Sequence, residues 1–166
     1  MTRETRSVLG VDCTVARDTV LVDGHLEAAT IDWYAQDRTG NAWYFGEDSK
    51  EFGPSGDVIS TEGSWEATAQ GAQPGIVMEA HPGIGDTYRQ EYLKDVAEDQ
   101  AQVIGLVEST TVPCGSYTGC VETKEWTVLN EGVIENKFYA RGIGMVQAIM
   151  VAGGTDHSEL ASVATE

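Results

Sequence analysis

The chain has 166 residues, 41% of them hydrophobic, and sets 27 acidic against 10 basic side chains for a net charge of −17. That length and apolar content predict one domain, residues 1–166, with a true core, and they argue against global disorder. The charge argues against nucleic acid and anionic membranes as partners, because both want a basic face, and no run approaches the ~20 apolar residues of a membrane-spanning helix. Such an acidic surface suits a soluble protein in a salty or extracellular setting, or acids gathered around a cation.

The opening "MTRETRSVLGVD" lacks the apolar run of a signal peptide. The chain is therefore either cytoplasmic or begins at a mature or trimmed end. "VARDTVLVDGHLEAATIDWY" reads as two strands about Asp23-Gly24, a pair suited to the positive φ angles of a type I′ hairpin turn. A strand over about 29–36 follows. Alternation puts Ile31, Trp33 and Ala35 on one face and Asp32, Tyr34 and Gln36 on the other. "DRTGN" then predicts a hairpin loop, with the Asp37 carboxylate capping the turn and Gly40 left-handed. The returning strand, about 42–47, alternates Trp43, Phe45 and Glu47 against Ala42, Tyr44 and Gly46. The aromatic crowding of "DWYAQDRTGNAWYFGED" is thus first a matter of cross-strand ring pairs.

Beyond the loop "FGPSGD" come short alternating runs: "GSWEAT", "PGIVMEA", "DTYRQEYL", "AQVIGLVE", "VETKEWTVL", "VIENKFYA", "GMVQAIMVA" and "ELASVA". Only "YLKDVAEDQAQVIG" has the length of a helix; its apolar spacing fits one poorly, and it also reads as a hairpin. About ten strands predict an all-β fold, an antiparallel meander curled into a barrel or a strongly curved sheet, with a β-sandwich as the alternative.

Some patterns that invite chemistry fail on spacing. Counted from Asp37, "DRTGN" puts Gly40 at position 4 and Asp48 at position 12, which does not make an EF-hand. No cofactor is expected; a calcium ion is the only one this loop suggests. His25, His81 and His157 are scattered, so "PCGSYTGC" has no evident base to activate a thiol. In an oxidising compartment its ends, Cys114 and Cys120, are expected to pair as a disulfide and leave Cys13 free and buried.

More informative is charge within strands. Arg89 and Glu91 share a face, as do Lys137 and Tyr139; Glu66 adjoins Trp65, and Glu47 lies on the Trp43 face. Outside the sheet these are solvated charges. On a concave face they form a polar network beside aromatic rings, which is how a ligand cavity is built. Candidate ligand-binding residues are therefore Trp33, Trp43, Trp65, Arg89, Glu91, Lys137 and Tyr139, with Arg89, Glu91 and Lys137 paired to carboxylates inside. Candidate catalytic residues are Glu47, Glu66 and Glu91, as an acid–base pair.

The segments "DWYAQDRTGNAWYFGED", "EGSWEA", "GAQPGIVMEAHPGIGDTYRQEY", "AED", "VPCGS" and "NKFYARGIGMV" together resemble a family of bacterial β-rich proteins, often secreted or lipid-anchored, over roughly residues 8 to 147. The resemblance implies an extracytoplasmic β-rich domain, secreted or periplasmic, and no particular reaction. It favours the Cys114–Cys120 pairing. It also implies more chain before "TRETRSVLGVDC", hence an uncovered edge strand and a homodimer formed through it. The leading expectation is a small-molecule or cation-binding domain. The alternatives are a hydrolase or lyase using a glutamate pair, and a structural or interaction module.

Overall fold

A computed structural model describes residues 4–68 and 71–164. The first three residues, part of the start on which the trimmed-terminus expectation rests, lie outside them. Strand follows strand with no helix among the described residues, so none is long and apolar enough to cross a membrane. The chain divides into two compact units, one running to Ala80 and including Arg89–Glu98, the other holding His81–Tyr88 and everything from Asp99.

The first unit is built on β1 (Thr5–Val8), β2 (Val11–Val22), β3 (His25–Gln36) and β4 (Ala42–Phe52), with β5 (Val58–Ser60), β6 (Trp65–Glu66), β7 (Gln73–Met78) and β9 (Glu91–Tyr92). All pairings are antiparallel, in the order β1-β2-β3-β4-β7-β9, with β5 and β6 also on β4. Val22 pairs with His25 across Asp23 (φ 52) and Gly24 (φ 80), the type I′ turn that the Asp-Gly pair predicts. The strand expected at 29–36 runs on from the turn, because β2 pairs with it from His25 to Tyr34, with one bulge near Glu27.

The second unit contains β8 (Thr87–Arg89, of which Arg89 counts with the first unit), β10 (Asp99–Val112), β11 (Gly115–Thr127), β12 (Ile134–Ala140), β13 (Gly144–Ala152) and β14 (His157–Glu159). Its order is β14-β13-β12-β11-β10-β8, again antiparallel where register is set. The ambiguous "YLKDVAEDQAQVIG" resolves as a tight turn and a strand: residues 94–96 turn the chain so that Leu93 bridges Ala97, and β10 follows. A hydrogen bond from Thr110 Oγ1 on β10 to Gln147 on β13, at 2.7 Å, shows how strongly this sheet curls. Three strand spacings would separate those strands by roughly 14 Å in a flat sheet. The Cys114 N–H to Leu160 carbonyl bond (3.0 Å) draws the chain after β14 to the β10–β11 turn.

The all-β antiparallel expectation therefore holds, with the curved sheet realised in the second unit. Neither strand order closes into a barrel. Among the described residues fourteen strands stand where about ten were expected, because several are only two to four residues long and too short to show a period.

The disulfide expectation is corrected. All three cysteines are free, with Cys13 and Cys120 buried. Cys114 sits in the β10–β11 turn and Cys120 opposite Glu108 along the same hairpin arm. Six residues of extended chain span roughly 20 Å, far beyond the ~7 Å Cα limit of a bridge.

Candidate functional site

Each unit buries carboxylates, and the two do so differently. In the second unit the inward row of β11 carries Thr123 and Glu125. Their register partners are Val103 and Ala101 on β10, and Lys137 and Glu135 on β12. Ala101, Val103 and Thr123 are fully enclosed. Tyr139 lies two residues along from Lys137 and so on the same face. Glu125 is the hub: Lys137 Nζ lies 2.9 Å from Oε2, while Thr123 (2.7 Å) and Tyr139 (2.9 Å) donate hydroxyls to Oε1. Glu135 adds a second carboxylate 3.4 Å from Lys137.

Burial alone would pull the Lys137 ammonium's pKa down, but Glu125 and Glu135 outweigh it and leave the pKa raised. Asp99, at the foot of β10, is pushed up by burial, against the Thr127 hydrogen bond and the Lys137 charge that favour its ionised form. Asp99, Glu125, Trp126, Thr127, Asn130, Glu135 and Lys137 line an open cleft of about 130 Å³. A second recess of about 260 Å³ lies beside Lys124, Trp126 and Glu131. The Lys124 ammonium is 5.5 Å from the Trp126 ring centroid.

In the first unit a β-bulge makes the site. Asp32 pairs with Glu47 and Tyr34 with Tyr44, so two steps on β3 face three on β4. Gly46 takes φ +135 within that bulge, and β6 pairs with β4 so closely there that a Cβ on Gly46 would lie 2.3 Å from the Trp65 carbonyl oxygen. The approach brings Tyr34, Tyr44 and Trp65 together, stacked at 4.8 Å and edge-on at 5.5 Å. Such ring pairs contribute about 0.5–1.5 kcal/mol each beyond their burial. Tyr44 donates its hydroxyl to Asp32 (2.7 Å), and Trp65 donates its indole N–H to buried Glu91 (2.8 Å). Burial pushes the Asp32 carboxyl up against the Tyr44 bond. Burial first, then the charges of Asp32, Glu47 and Glu91, push up the Tyr34 phenol.

The sequence-derived candidates thus scatter. Trp65, Glu91 and Glu47 come together around Tyr34 and Tyr44. Glu66 points elsewhere and pairs with Arg6, whose guanidinium stacks 4.0 Å over Trp33. Trp43 belongs to the turn: its indole N–H donates to Asp37 Oδ2 at 2.9 Å. Thr39, Gly40 and Asn41 fill the remaining acceptor positions of Asp37, and the bonds from Trp43 first, then Thr39 and Asn41, hold that carboxyl well below the usual range. The "DRTGNAW" carboxylate is therefore a turn cap whose lone pairs already receive N–H and O–H donors. Arg89 is exposed and stacks on Tyr92, with 4.2 Å to the ring centroid. Of Arg89, Glu91 and Lys137, Lys137 forms the expected ion pair, with Glu125 and Glu135, while Glu91 is buried and receives an indole N–H.

Lys137 and Tyr139 do share one site, as their strand face implies. Sequence reasoning missed their hub, Glu125, together with Asp99, Glu135 and Trp126. The i, i+2 pair Thr123/Glu125 in "VETKEWT" was the available signal, but only the β11–β12 register puts it opposite Lys137. Of the known proteins, no family model, no curated sequence and no solved structure matches the chain.

Proposed function

We propose that the protein is an extracytoplasmic binding module that takes a small cationic head group in the Lys137–Glu125 cleft of its curled sheet. The observation that carries this reading is the cleft's lining: three carboxylates (Asp99, Glu125, Glu135) against one ammonium, with Trp126 beside them. Lys137 neutralises part of that charge and orders the carboxylates. The surplus favours a positive group. About 130 Å³ suits a group of benzene size or less, so affinity is modest, about millimolar or −4 kcal/mol. The acidic surface and the bacterial resemblance support the compartment.

Titration with a small alkylammonium ion, alongside a neutral polyol of equal size, tests the reading by chemical-shift changes at Trp126 Nε1–H. Saturable shifts with the ammonium alone, lost in Glu135→Gln, are expected. Equal or absent responses to the two probes would overturn it. Binding should strengthen as pH rises through the raised pKa of Asp99, because its carboxylate form favours the cation.

A further inference from the structure

The outer edge of β2 holds a further site. Only the first part of that strand is covered, by β1 as far as Thr14 and by the Val15 N–H to Glu4 carbonyl bond. That bond fixes which groups point outward. With a period of two, the N–H and C=O of Thr19 and Leu21 face the same side as those of Val15. The β3 bulge near Val20 and Leu21 leaves this phase intact, since the extra residue is on β3. Among the described residues no strand pairs with Thr19–Val22 on this side. The Thr19 N–H is instead capped by its neighbour's carboxylate, Asp18 Oδ1, at 2.7 Å. The side chains there are apolar and open to solvent: Val20 is 45% exposed, Leu21 61% and Val22 50%.

We propose that two copies of the chain pair through this edge, antiparallel and two-fold symmetric about Val20. Thr19 of each copy then faces Leu21 of the other, and both residues present outward N–H and C=O groups. Four main-chain hydrogen bonds form, and the two Val20 side chains meet as the close, non-hydrogen-bonded pair. The occupant is a second copy because the segment is self-complementary under that rotation. Thr19–Val22 also carries no charge in a chain of net −17, so the pairing sets no like charges directly opposite each other. Asp18 must release the Thr19 N–H, which makes it a brake on pairing.

Sedimentation velocity across protein concentration at low and high salt tests this. The dimer fraction should rise with concentration and with salt, which screens the repulsion of two acidic bodies. Leu21→Pro removes an outward donor while sparing the β2–β3 ladder, and Val20→Lys sets two ammonium groups opposite each other. Each should weaken the dimer by about tenfold or more, with the melting of the monomer as the check on folding. Asp18→Ala should strengthen it. If Leu21→Pro fails to fold, Val20→Lys decides alone. A monomer under all conditions, or a dimer indifferent to Val20→Lys, overturns the proposal.

Discussion

Asp32 and Glu91 in the first unit and Glu125 in the second are all buried carboxylates inside β-sheets, yet they are satisfied in different ways. In the first unit neutral donors meet them, the Tyr44 hydroxyl and the Trp65 indole. In the second an ammonium does, with two hydroxyls completing the shell. A neutral donor spares the cost of burying a second charge but offsets less of the first. The consequence is visible in the pKa directions. Asp32 is raised by its burial, whereas the second unit's network raises Lys137 and so holds the ion pair in its charged form. The first arrangement is a packed aromatic strut. The second leaves a charged cleft open at its edge.

The comparison breaks most severely at Gly46. Gly46→Val forces a side chain against the Trp65 backbone at a left-handed φ, and should cost about 4 kcal/mol or more. Urea denaturation measures this, and a loss below about 1 kcal/mol would show that β6 is not held there. Next in size is Lys137→Met, which leaves Glu125 buried without its cation and should cost about 2–4 kcal/mol. Adding Glu125→Gln to that variant should recover more than half the loss, since the orphaned charge goes with it. No recovery would mean that packing, not charge, holds the cleft. Trp65→Phe keeps an aromatic ring but removes the indole N–H donated to Glu91, for about 1–3 kcal/mol.

The smallest effect sharpens the contrast through pH. Asp32 has a raised folded-state pKa, so its contribution is most favourable below the ordinary value of 3.8 and is lost as pH rises through the folded value. Asp32→Asn should therefore stabilise the protein at neutral pH, by a few degrees in Tm, and flatten that limb of the stability profile. Lys137 acts at the other end. Its raised pKa contributes stability present below 10.5 and lost as pH climbs through its folded value. Thermal melts across pH check both; a destabilised Asp32→Asn at neutral pH would show that the Tyr44 bond outweighs the burial cost.

Much of the first hairpin was legible before any coordinates. Asp23-Gly24 specified its turn through backbone preference alone, and Asp37 with Gly40 specified the next. These are local effects, decided within a few residues. The face assignment of Trp33 and Asp32 also held, but both are buried: on the Asp32 side the Tyr44 hydroxyl meets the carboxylate and the Trp65 ring packs edge-on against Tyr44, while Arg6 covers Trp33. Alternation assumes one wet face and has no way to register a two-residue strand, paired with β4, whose Trp65 ring covers the other.

The sequence by itself determined the class and the turns: period-two alternation, β-branched and aromatic residues, and Gly-centred loops leave antiparallel β as the arrangement that buries the apolar side. Only the tertiary structure decided which carboxylate meets which donor. Glu66 and Glu91 look equivalent beside their aromatic neighbours in the sequence. A strand's adjacent residues point to opposite faces, though, so Glu66 goes to Arg6 while Trp65 reaches Glu91, 26 residues away. The same holds for Cys114 and Cys120, close along the chain and kept apart by the extended backbone between them. Pairing of this kind is set by register and curvature, which depend on long-range contacts that no short window of sequence contains.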